Sequence, residues 1–141
     1  MITRLKLISE GIADPIFIGI AAQEPDYKLS LAINRKFGFG LKSGTSIILE
    51  DDADLDGAVF SKFSYSLKER EMDIDLIANR YDNRILIKKL PNIDFLMVVH
   101  NPENDSYVDF LMEKLKEISL ISAIFLIPYN SIKDKNLRYL S

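Results

Sequence analysis

Asp52, Asp54 and Asp56, followed at once by Gly57, form the sharpest chemical motif in the chain. Carboxylates at positions one, three and five, with glycine at six for the sharp turn, are how an EF-hand loop wraps Ca²⁺. Such a loop closes on a bidentate Glu at position twelve. Here that position is Phe63, inside a run with the periodicity of a strand. Without the closing ligand a large cation is not enclosed, so the segment reads as an acidic loop between two strands with Gly57 as its turn. His100, the single histidine, is the candidate general base. A base needs an orienting partner and a nucleophile or bound water, and sequence supplies neither. Ending an apolar run ahead of Asn101-Pro102, His100 reads as a surface residue.

Three other segments carry weaker chemistry. Asn79-Arg80-Tyr81-Asp82-Asn83-Arg84 is polar enough to hold an anion, and it is also the composition of a hairpin turn, the reading preferred here. Phe37-Gly38-Phe39-Gly40-Leu41 contains two glycines but follows a helix, whereas a phosphate-cradling loop must precede one. It reads as a helix C-cap with aromatic residues folding back on the core. Ser64 and Ser66 do not lie in the strand–turn–helix elbow of a hydrolase nucleophile. No catalytic residue, metal site or cofactor is assigned; Asp52, Asp54 and Asp56 stand as the metal candidates.

The elements that must position these residues follow from pattern. With 141 residues, 48% of them hydrophobic, the chain can fill one core, and no linker or repeat divides 1–141 into more than one domain. It lacks cysteine, which excludes disulfides and thiol chemistry. A formal net charge of −3 without a clustered basic segment disfavours binding to phosphate backbones. The apolar runs are too short to span a bilayer, and Glu10 and Asp14 interrupt any signal-peptide centre, so a cytoplasmic protein with no membrane contact is expected.

Strands are expected at Arg4–Ser9, Pro15–Ile20, Thr45–Glu50, Ile85–Leu90 and Ile93–His100. Met72, Ile74, Leu76 and Ala78 alternate with Asp73, Asp75, Ile77 and Asn79, and Val59, Phe63, Tyr65 and Leu67 alternate with Phe60, Lys62, Ser64 and Ser66; the two runs predict a β-hairpin with one face on the core. One helix starts at Pro25, carries Leu29, Ala32, Ile33 and Phe37 on one face, and stops at Gly38. A second runs from Asp105 with Val108, Leu111, Met112, Leu115 and Ile118 on one face. Ile121–Ile127 is apolar on both faces, hence a buried strand, and Tyr129–Ser141 is a polar tail.

This order implies an α+β fold: a mainly antiparallel sheet, two amphipathic helices on one face, and a closing β-α-β unit over Ile93–Ile127 of ferredoxin or ACT type. Ile18, Leu29, Ile33, Phe63, Leu76, Leu96, Val98, Leu111, Leu115, Ile124 and Leu126 are the expected core.

Several strings occur in a familiar order: Asp26-Tyr27-Lys28-Leu29…Asn34-Arg35, Phe60–Leu67, Asp75-Leu76-Ile77-Ala78-Asn79, Ile87…Ile93-Asp94-Phe95 and Ile132-Lys133-Asp134-Lys135-Asn136-Leu137. From about Ile16 to Tyr139 the chain resembles the IPExxxVDY family, a bacterial family without assigned activity. Within the signature, Ile87, Asp94 and the aromatic Phe95 match, while Lys88 and Lys89 stand where the family has Pro and Glu. The resemblance supports the fold and implies no mechanism.

The function expected is that of a non-catalytic binding or protein-interaction domain, a homodimer recognising a protein or small molecule. An enzyme using His100 or the acidic loop is the alternative, and nucleic-acid binding through sheet aromatics the third. Self-association is expected at an open sheet edge between Thr45 and Leu90, where no proline blocks a strand. The competing arrangement is a monomer whose edge is covered by 129–141.

Overall fold

Pro15 opens the first strand, and the β-branched run behind it pairs on both sides. The computed structural model describes residues 14–49, 57–102, 105–128 and 131–140. Strand β1 (Ile16–Ala21) lies between β9 (Phe95–His100) and β10 (Ala123–Ile127), antiparallel to both. Strands β6 (Met72–Ala78), β5 (Lys62–Leu67) and the two-residue β2 (Lys42–Ser43) continue the sheet, so its order is β10-β1-β9-β6-β5-β2, every pair antiparallel. Helix α1 (Asp26–Phe37) follows β1, and α2 (Asp105–Lys116) joins β9 to β10. The expected closing unit is therefore present as a split β-α-β with β1 inserted between its strands. The protein is α+β.

Helix α1 begins one residue later than Pro25, whose carbonyl accepts from the amides of Lys28 and Leu29. It ends at Gly38, whose φ of 71° is the left-handed conformation that favours glycine at this position. The Asn34 side chain then bonds both backbone groups of Leu41, fixing the exit of the chain. Leu29 and Ile33 of α1 and Leu111 and Leu115 of α2 pack on Ile18, Ile20, Met72, Ile74, Leu76, Met97 and Val99. Both helices thus cover one face of the sheet, as the alternation of β1, β6 and β9 requires.

The opposite face is also covered. Phe17, Ile77, Leu96 and Val98 point there, under a small hairpin of β3 (Ile47–Ile48) and β4 (Val59–Phe60), the segment Leu86–Ile93 and the C-terminal residues Ile132 and Leu140. Here the structure departs from the sequence reading. Of the expected strand Thr45–Glu50, only Ile47 and Ile48 pair among the described residues 45–49, because this segment folds over the face instead of joining the main sheet. Val59–Leu67 is split at Ser61, its first two residues pairing with β3 and the rest with β6. Ile85–Leu90 is no strand beyond β8 (Arg84–Ile85), which pairs with β7 (Arg80–Tyr81). Its next amides, Leu86 and Ile87, bond the carbonyl and side-chain oxygen of Asn79, which leaves them no ladder.

The C-terminal residues are not merely polar. Ile132 and Leu140 are buried, with a 3-10 turn at Lys135–Tyr139 between them. Strand β10 is the largest correction: it forms an edge of the sheet, with Phe125 48% and Leu126 53% exposed. Of the expected core, Leu126 therefore fails, and Phe63 and Ile124 are only half-buried; the other eight are buried. The expected strand Arg4–Ser9 lies outside the described residues. No helix among those described is long and apolar enough to cross a membrane.

Candidate functional site

The period of two that buries Met72, Ile74 and Leu76 beneath the helices turns Asp73 and Asp75 to the other face. The neighbouring strand does the same with Lys62, Ser64 and Ser66. In the β5–β6 register Ser64 lies opposite Asp75 and Ser66 opposite Asp73. His100, at the end of β9, lies opposite Asp73 and reaches diagonally to Asp75. Ser64, Ser66, Asp73, Asp75 and His100 line a pocket of about 360 Å³, together with Tyr65.

Asp75 is the centre of the group. Its Oδ1 accepts from the Ser64 hydroxyl at 2.6 Å, its Oδ2 meets His100 Nε2 at 2.8 Å, and Lys62 Nζ stands 3.8 Å from the same oxygen. The residue is only 8% exposed. Burial pushes the pKa of the Asp75 carboxyl up, but the hydrogen bonds from His100 and Ser64 and the charges of Lys62 and His100 outweigh it and hold Asp75 below the usual carboxylate range. Ser66 donates to Asp73 at 2.5 Å beside it.

With the carboxylate on Nε2, a neutral His100 keeps its proton there and its lone pair on Nδ1. A serine hydrolase places the imidazole between hydroxyl and carboxylate. Here the carboxylate stands between hydroxyl and imidazole, and the Ser64 proton points at Asp75. The group can fix an imidazole and accept a hydrogen-bond donor; it does not activate Ser64 as a nucleophile.

A second pocket, of about 500 Å³, opens where β1 passes into α1. Its walls include Pro25, Val59, Tyr81 and Phe95, with Arg80 and Asp94. The Asp94 carboxylate accepts from the Ala22 amide at 2.8 Å and from Arg80 Nε at 2.7 Å, and Arg80 also donates to the Pro91 carbonyl. Arg84 stacks on Tyr81, and Asp82, at φ 55°, makes the turn between β7 and β8. The segment Asn79–Arg84 is thus the expected hairpin turn, with Arg80 engaged by Asp94.

Behind it, fully buried Asn79 donates to the carbonyls of Leu90 and Ile93 and accepts from the Ile87 amide. Asn136 donates to the Leu86 carbonyl, and Asp134 accepts from the amides of Lys88 and Asn136. The polar residues Asn34, Asn79, Asp94, Asp134 and Asn136 are therefore braces for irregular backbone.

Of the residues singled out by type and spacing, His100 belongs to the polar group, as do Ser64 and Ser66, the serines set aside as nucleophiles. Asp52, Asp54 and Asp56 lie outside the described residues, although Gly57 has the positive φ, 79°, of a turn. Among the described residues no three His, Asp or Glu side chains are grouped closely enough to share a metal ion. Asp75, the residue on which the others converge, was missed. Its signal was the alternation Met72-Asp73-Ile74-Asp75-Leu76, which sends two carboxylates to the face away from the helices. No family model, no curated protein and no solved structure matches this chain.

Proposed function

We propose that this chain is a non-catalytic protein-interaction domain of the bacterial cytoplasm, allied to the IPExxxVDY family, and that a second copy of itself is among its partners. The observation that carries the reading is the position of Asp75, between Ser64 and His100. The only histidine faces a carboxylate that already holds the Ser64 hydroxyl, so base and nucleophile are not coupled. Exposed apolar side chains, Phe125 and Leu126 foremost, supply the alternative use of the surface. Nucleic-acid binding gains no support. Exposed Tyr27, Tyr81, Phe110 and Phe125 stand on four different elements, and apolar side chains from both faces of the sheet are packed beneath other segments.

The enzyme reading keeps one specific observation, a histidine oriented by a nearly buried carboxylate in a pocket. Immobilised chain exposed to native cell extract, followed by mass spectrometry, separates the two. The interaction reading expects a protein captured in fixed proportion, equally by wild type, His100→Gln and Asp75→Asn. Capture of no protein, or capture lost in both variants, overturns it.

A further inference from the structure

Strand β10 ends the sheet, and nothing among the described residues pairs with its outer side. An open edge presents a row of amides and carbonyls to any other strand, and proteins usually guard it with lysine, proline, a bulge or a covering element. Ala123-Ile124-Phe125-Leu126-Ile127 has none of the first two: Pro128 falls just past its end, and no charged residue occurs between Glu117 and Lys133. Its register with β1 is continuous over all five residues, from Phe17 opposite Ile127 to Ala21 opposite Ala123, so no bulge interrupts it. Phe125 lies beside Gly19, whose side faces Ile93 and Ile127 on the second face of the sheet. Leu126 points to the helix side. Each is about half exposed.

We infer that two copies of this chain join through β10, antiparallel about a twofold axis, into one continuous twelve-stranded sheet (six strands from each copy). This rests on the self-association proposed above and names its surface. The occupant is a second copy because the strand complements itself. Pairing centred on Phe125 sets the two Phe125 rings against each other on one face and Leu126 against Ile124 of the other copy on the opposite face. Without a charge along the strand, two identical edges meet with no like-charge repulsion, and a basic or acidic peptide finds no counter-charge. An isologous contact of this kind closes on itself and stops at two chains.

Light scattering on the full chain, eluted at about ten micromolar, tests it, in the range where specific dimers persist. Wild type is expected at twice the 16.1 kDa chain mass. Phe125→Lys/Leu126→Lys should elute at the single-chain mass, and Ile48→Lys, an exposed apolar residue on the β3–β4 hairpin, at the wild-type mass. A single-chain wild type overturns both the self-association and the edge. A dimer that survives the double substitution overturns the edge alone, and a mass beyond two chains overturns the closed twofold. If the lysine variant does not fold, hydrogen exchange on wild type decides instead. Slower exchange over 123–127 at high than at low concentration supports the edge, and no change refutes it.

Discussion

Replacing Asn79 with alanine removes one side chain and three hydrogen bonds at once. Two run from its amide to the Leu90 and Ile93 carbonyls, and one comes to its oxygen from the Ile87 amide. The Ile93 and Ile87 bonds are buried, whereas the Leu90 bond is reached by water and counts for less. A buried donor or acceptor stripped of its partner costs about 1–3 kcal/mol, so two such groups and a partial third come to about 3–5 kcal/mol. That is a large share of the 5–15 kcal/mol typical of a whole domain. In urea, with a slope of about 2 kcal/mol/M, the midpoint should fall by about 2 M, read at one protein concentration. Asn83→Ala, at the exposed tip of the β7–β8 hairpin, is the control and should leave the midpoint within about 0.3 M, as surface changes do. A loss under about 1 kcal/mol for Asn79→Ala would refute the reasoning, since it would mean that the Leu86–Ile93 segment holds its course without this brace.

Truncating Leu111 or Leu115 to alanine should cost about 2–5 kcal/mol in the same assay, because both are fully buried between α2 and the sheet. A held-down carboxyl such as Asp75 contributes stability that is complete above the unfolded-state value, about pH 4, and lost as pH falls through the lower folded-state value. Asp75→Asn should therefore flatten the fall of the urea midpoint below about pH 4, and an unchanged acid limb would contradict the assigned hydrogen bonds. Calorimetry with Ca²⁺ should give a dissociation constant weaker than about 10⁻⁵ M, because Asp52, Asp54 and Asp56 lack a carboxylate at Phe63.

Local pattern made the two helices, the β5–β6 hairpin and the α+β class legible, because in each case burial acts on residues close in sequence. Leu111 and Leu115 had to share a face of α2, and Met72, Ile74 and Leu76 a face of β6. Lateral position in a sheet has no such signature. Ile121–Ile127 carries the apolar run of a central strand, and whether it stands inside or at an edge depends on partners far away in the chain. The same limit hid the polar group. Alternation sent Asp75 away from the helices, yet its meeting with His100 depends on the β6–β9 pairing, which neither run encodes alone. Leu86 and Ile87 mislead in another way, since their apolar character suits burial in a braced loop as well as a ladder.

The insertion of β1 between β9 and β10 has a consequence for synthesis. Ile18 faces Met97 on one side and Leu126 on the other, so the first described strand finds no neighbour until most of the chain has been made. At ribosomal rates this wait is on the order of ten seconds. The β5–β6 hairpin, closed across Lys68–Arg70, has both partners in hand long before. Assembly of this sheet therefore runs against the order of synthesis: Ile16–Ala21, the first described strand, is among the last to be seated, and a nascent chain carries it without its two sheet partners through the period when holding factors act.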